Sequence, residues 1–252
     1  MSIYLEDHPP ARRQYIDPRR DSASGAIVVH TAENVPKLSV PDTSAESIAA
    51  FISSRSDPGS YHSVIDTDSI VRMGRFEWEM FGEGTGGNRF ALHLASACRT
   101  SDWVNQDPVW VGKMITQKAT AAVEMICWVN TQGIGVPISR ITAAQYRAKM
   151  PGFIAHADLD PGRRSDPGAR FPWDVFLNMV SHILNGGETV AVSINDFAQT
   201  MANVDEIYRA YTGYEPDSMS RQTWGVDLIA RLIRGEDPAK TLEFISWKLA
   251  GG

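Results

Sequence analysis

The sequence predicts an α/β fold, a mixed central β-sheet flanked by helices, with a small all-helical C-terminal appendage. Three observations predict it. Short apolar runs of strand length recur between residues 25 and 157. Longer stretches with helical apolar spacing lie between them, so the two signals alternate. Beyond residue 191 only helical patterns remain, including 204–211 and 223–233, with breaks at Pro216 and Pro238.

Residues 1–24 are polar and carry Pro9, Pro10 and Pro18, so an extended N-terminal arm is expected. The run Gly25-Ala-Ile-Val-Val-His30 reads as a buried strand ending in a polar residue. Thr43-Ser-Ala-Glu46 reads as a capping box that opens a helix through Ile52. Ser56-Asp-Pro-Gly-Ser60 stops it. Strands over 61–66 and 70–73 flank the turn Asp66-Thr67-Asp68, the pattern of a hairpin. Residues 90–94 form another strand-like run. The stretch 108–133 is the longest helical pattern, with a broad apolar face from Val109 to Val129. Thr142-Ala-Ala-Gln145 is a second capping box, and Pro151-Gly152 ends its helix. A last strand over 153–157 leads into a loop rich in Asp, Pro, Gly and Arg. A helix over 173–185 closes at Gly186-Gly187.

Composition narrows the function classes. The chain has 252 residues, 43% hydrophobic and 21% charged, with a net charge of −6. That excludes disordered, collagen-like and coiled-coil proteins. It also lacks the positive field that non-specific nucleic-acid binding needs, so no nucleic-acid partner is expected. No apolar stretch is long enough to span a bilayer, so no membrane insertion is expected. Residues 1–20 lack the apolar core of a signal peptide. Synthesis in the cytoplasm is expected, with delivery by another protein if the site of action is outside. Cys98 and Cys127 have no metal-site spacing and are expected as small buried hydrophobes.

The chemistry concentrates in the string His156-Ala-Asp-Leu-Asp-Pro-Gly-Arg-Arg-Ser-Asp166-Pro-Gly-Ala-Arg-Phe-Pro-Trp173. A strand-end histidine is followed by a rigid Pro-Gly turn, which can return Asp166 to the imidazole. Two imidazoles and a carboxylate form a standard three-ligand zinc set. His30, at the end of the first strand, offers the second imidazole. Among the other histidines, His62 is a rival ligand candidate, but strand alternation puts it opposite Tyr61 and core packing is expected, while His8 and His182 are expected to be solvated or structural. Gly82-Glu-Gly84-Thr-Gly-Gly87 fits GxGxxG but leads into a strand rather than opening a helix, so it is not a dinucleotide site. It reads as a loop on a groove rim. Trp78 and Trp103 are candidates for stacking on sugar rings, with core packing the alternative for each.

These motifs resemble the type-2 zinc-dependent N-acetylmuramoyl-L-alanine amidases, the family that includes phage lysozyme-like amidases and peptidoglycan-recognition proteins. Val28-Val-His30-Thr-Ala32 matches the family's first element, 156–173 its second, and Tyr61-His62-Ser-Val-Ile-Asp66 its Tyr-His hairpin. The resemblance covers about residues 24–185 and is strongest to endolysins of phages that infect actinobacteria. It implies a catalytic domain over 25–190 and a helical region over 191–252 that in such lysins often targets the cell wall. It also implies Zn2+ held by His30, His156 and Asp166. The reaction implied is hydrolysis of the amide between N-acetylmuramic acid and L-alanine in peptidoglycan. Such a lysin reaches the wall through a holin-type pore.

Two departures from the family pattern matter. Arg164 stands where the family usually has lysine, and it can stabilise an oxyanion but not shuttle a proton. His93 stands where some members have a catalytic glutamate. The resemblance therefore leaves His93 and Tyr61 as alternative auxiliary catalytic groups, with Thr31, Asn88 and Trp78 as candidate substrate contacts. A non-catalytic peptidoglycan-binding module of the same fold is the alternative function, and oligomeric state is not legible.

Overall fold

The computed structural model describes residues 4–7, 10–186, 205 and 209. A mixed six-stranded sheet organises them, in the order β1-β5-β4-β7-β3-β8. The strands are β1 (Tyr4–Asp7), β3 (Ala26–Thr31), β4 (Ser63–Ile65), β5 (Ser69–Arg72), β7 (Leu92–Ser96) and β8 (Gly152–Ala155). Strands β4, β7, β3 and β8 run parallel to one another, while β5 is antiparallel to β4. A separate antiparallel pair joins β2 (Tyr15–Ile16) to β6 (Glu79–Met80). The helices are α1 (Ser44–Ser54), α2 (Asp102–Asn105), α3 (Pro108–Thr131), α4 (Ala143–Arg147), α5 (His156–Leu159) and α6 (Trp173–Leu184).

Alternation along β3 and β7 builds two unlike faces. Ile27, Val29, Leu92 and Leu94 join a core with Met114, Ile115 and Ala122 of α3 and Phe176 and Val180 of α6. Full burial of each such aliphatic side chain contributes roughly 1.5–3 kcal/mol. Across the sheet, Ala45, Ala49 and Ile52 of α1 pack on Val64, Val71 and Ala95. His30 and His93 project to this second face, because His30 pairs with Ala95 and His93 with Val28 in the β3–β7 register.

Four sequence expectations change. The segment 1–24 is not a free arm, because β1 pairs in parallel with β5 at the sheet edge. Farther along it, Arg19 donates to the Trp78 and Ala91 carbonyls, and buried Gln14 donates to the Arg55 and Asp57 carbonyls. These two side chains satisfy loop backbone carbonyls. The Thr43 side chain does not cap α1. Instead, Asp42 Oδ1 accepts from Ser44 N–H and Asp66 Oδ2 from Ala45 N–H. The Phe90 strand starts later, at Leu92, and Cys127 is exposed on α3 while Cys98 is buried. The Thr142–Gln145 capping box forms in full. No helix among the described residues is long and apolar enough to cross a membrane. The expected helical region 191–252 lies outside the described residues except for Asp205 and Arg209.

Candidate metal centre

Parallel strands place their carboxyl ends on one edge, the usual location of a site in such sheets. His30 is the penultimate residue of β3, and His156 immediately follows β8. Asp166 arrives from the loop between α5 and α6. Its backbone carbonyl accepts from Ala157 N–H at 2.8 Å, which folds the loop back onto α5.

The three side chains converge. His30 Nδ1 lies 3.2 Å from His156 Nδ1 and 3.0 Å from Asp166 Oδ2, and His156 Nδ1 lies 3.1 Å from the same oxygen. Hydrogen bonds alone cannot satisfy this triangle. Both nitrogens would have to donate to the carboxylate, and two donors cannot pair with each other. A cation resolves all three contacts, and zinc bonds in tetrahedral geometry separate ligand atoms by about 3.3 Å. The three residues are buried and form a group able to hold a metal ion. The donor set therefore fits zinc.

Electrostatics favour the ligand forms. Burial pushes the His30 imidazole down to about 4, despite its hydrogen bond to Asp166. Burial alone would raise the Asp166 carboxyl, but bonds from His156 and His30 outweigh it and hold it well below the usual carboxylate range. Beneath the site, buried Lys118 of α3 donates to the His30 carbonyl at 3.0 Å and to Ser96 Oγ at 2.8 Å. Burial pushes Lys118 down to about 7. Its signal in the sequence was a lysine interrupting an apolar helix face.

His156 and Asp166 open onto a cleft of about 940 Å³, which Thr31, Glu33, Tyr61, Asn88 and Arg164 also line. Burial, reinforced by the charge of Asp166, pushes the Tyr61 phenol up to about 12. Tyr61 is therefore a proton donor throughout the physiological range. Asn88 lines the cleft, but its side chain is engaged: Oδ1 accepts from Glu83 N–H and Nδ2 donates to the Glu83 carbonyl.

Three aromatic or imidazole candidates lie elsewhere. His93 is fully buried behind His30, with its Nδ1 3.2 Å from His30 Nε2. Trp78 stacks on Tyr15 at 4.0 Å and faces a different cavity, beside Phe76 and Trp128. Trp103 is a core residue that donates to the Pro167 carbonyl. His62 is buried as expected, its Nδ1 accepting from the His93 N–H. The glycine-rich loop has structural reasons: a Cβ at Gly82 would meet the His93 ring, and one at Gly87 the Tyr146 hydroxyl.

The hydrolase AmiA of Staphylococcus aureus, solved in complex with its ligand, superposes over 74% of this chain and 88% of its own, with a TM-score of 0.51 at 14% identity. The two chains share a fold. A mutant endolysin from Bacillus subtilis aligns over 71% of this chain and 99% of its own, with a TM-score of 0.49 and 14% identity. In sequence, N-acetylmuramoyl-L-alanine amidase AmiD of Escherichia coli (strain K12) is 42% identical over 38 residues. That match spans 15% of this chain and 14% of AmiD. No protein-family model matches the sequence.

Proposed function

We propose that this chain is a zinc-dependent peptidoglycan amidase of the type-2 family, cleaving between N-acetylmuramic acid and L-alanine. The observation that carries the proposal is the His30–His156–Asp166 triangle, which hydrogen bonding leaves unresolved and which opens onto a cleft. Bound zinc would supply Lewis acidity, polarising the scissile carbonyl and lowering the pKa of water to about 7.

The protein's own groups supply the rest. His30, His156 and Asp166 hold the ion, and His93 accepts from His30 Nε2–H so that Nδ1 remains a ligand. The protonated Tyr61 phenol donates to the oxygen that gains charge as water attacks the carbonyl. Arg164, also on the cleft, adds a permanent positive charge. Thr31 and the Asn88 loop border the space for the glycan and its stem peptide. The role we infer is lysis of a bacterial host wall by a phage lysin, made in the cytoplasm and released through a holin-type pore.

Hydrolysis of purified actinobacterial peptidoglycan tests the proposal. The wild type should release new L-alanine amino termini, lose that activity to a chelator and regain it with zinc. His156→Ala should be inactive and bind zinc weakly. A wild type that loads zinc yet cleaves no wall preparation would point instead to a binding module.

A further inference from the structure

Amide hydrolysis needs a group that accepts a proton from water and passes it to the departing nitrogen. The groups suggested by the family pattern do not fill that place. His93 is fully buried and faces His30 rather than the cleft. Tyr61 is the donor to the oxyanion, the Arg164 guanidinium offers donors and no acceptor, and Asp166 belongs to the ligand triangle. Glu83 reaches the cleft, but Oε1 accepts from Asn88 N–H and Oε2 from Thr85 N–H and hydroxyl.

Among the described residues, Glu33 is the cleft-lining carboxylate left over. It follows β3 by two residues and comes three after His30. Its placement is built. Glu33 has φ 55°, a left-handed conformation unusual for a side chain of this size. Glu33 N–H donates to the Cys98 carbonyl at 3.0 Å, and Oε1 accepts from the Thr31 hydroxyl and from Thr100 N–H. Those bonds fix the carboxylate through one oxygen, while no hydrogen bond among the described residues engages Oε2. Its negative charge acts on the Tyr61 phenol, as does that of Asp166, so both carboxylates lie within electrostatic reach of one hydroxyl. Strained backbone held by specific bonds is a recurrent feature of functional sites.

We propose that Glu33 is the proton carrier of the reaction, a role that rests on the amidase proposal above. As the water oxygen bonds to the carbonyl carbon, one water proton passes to Glu33 Oε2. As the C–N bond breaks, that proton passes to the nitrogen of L-alanine. The muramyl lactyl group leaves as a carboxylic acid and the peptide as an amine, and Glu33 returns to its starting form.

Full-length zinc-loaded protein and a soluble muramyl peptide give the test. Glu33→Gln should lose about 10²–10⁴-fold in kcat, the range of general acid–base catalysis. KM should stay within about twofold, because binding is untouched. Zinc content should match the wild type. Added formate should restore part of the activity of Glu33→Ala, where space is open, and none to Glu33→Gln. Glu33→Asp should fall between Gln and wild type. Loss of zinc together with activity, or kcat unchanged in Glu33→Gln, overturns the assignment while leaving an active wild type as an amidase. A wild type inactive on every wall amide overturns the amidase proposal and the Glu33 role together.

Discussion

His93 sits directly behind His30 and never reaches the cleft, so any effect it has passes through the His30 ring. With Nδ1 of His30 committed to the proposed zinc, Nε2 would carry the proton and donate it to His93 Nδ1, 3.2 Å away. Outer partners of this kind typically change metal affinity by about 10–100-fold. His93→Ala should therefore weaken zinc binding by that factor in competition with a chelating dye. Unchanged affinity with collapsed turnover would return His93 to a direct chemical role. Tyr61 makes the opposite case, since it lines the cleft. Loss of one donor to a developing oxyanion costs about 10²–10³ in kcat, and Tyr61→Phe should show that loss. Because burial holds the phenol near 12, the wild-type rate should have no Tyr61 limb below about pH 10. A limb at neutral pH that disappears in Tyr61→Phe would overturn this.

At the scale of elements, the loop before β7 acts as a wedge against the site. Gly82 lies so close to the buried His93 ring that a Cβ would stand 2.4 Å from Cγ and Nδ1. Gly82→Ala should displace the imidazole from His30 and destabilise the protein by about 1–3 kcal/mol, the usual cost of overpacking. Urea unfolding would read the stability change and dye competition the weaker zinc binding; a neutral effect on both would show that the loop yields. These elements also show what was legible in the sequence. The convergence of His30, His156 and Asp166 was legible because His30 closes an apolar strand and Asp166 follows a Pro-Gly turn that has few ways to fold. The hairpin, α3, α6 and the Thr142 cap were legible because each is specified by local periodicity or adjacent polar groups. Helix α1 was legible but its cap was not, since Asp66 comes from a turn distant in sequence. Strand β1, the burial of Gln14 and the hydrogen bonds of Arg19 depend on partners more than forty residues away, which hydropathy does not register. Glu33 carried no motif, and its backbone conformation and exposure exist only in the folded chain.

The whole molecule stores an acid sensitivity in its buried histidines. Burial keeps His30 near 4 and holds His62 and His93 well below their ordinary value of 6.5. A depressed imidazole pKa means that below 6.5 the unfolded chain binds protons that the folded chain refuses, so stability falls as pH falls toward the folded value. Asp66 opposes this: burial raises it to about 7, so the folded chain binds its proton first and stability rises on acidification through that range. The hydrogen bonds it accepts from Ala45, Asp68 and Ser69 N–H favour the charged form and limit that opposition. Lys118, which burial holds near 7, adds to the loss down to about pH 7 and is protonated in both states toward pH 5. Between pH 6.5 and 5 three imidazoles act against one carboxyl, and the net loss is on the order of 3 kcal/mol at about 1.4 kcal/mol per pKa unit. Metal-free protein in chelator should therefore melt well below its pH 7.5 temperature when measured at pH 5. His62→Gln, which removes one of the three imidazoles away from the ligands, should flatten that slope by about half, because the opposing Asp66 carboxyl leaves a net of about two groups before the change and one after it. Equal melting temperatures at the two pH values would mean that the imidazoles take up protons in the folded state. The neutral form of His30 at the site would then lose its electrostatic basis.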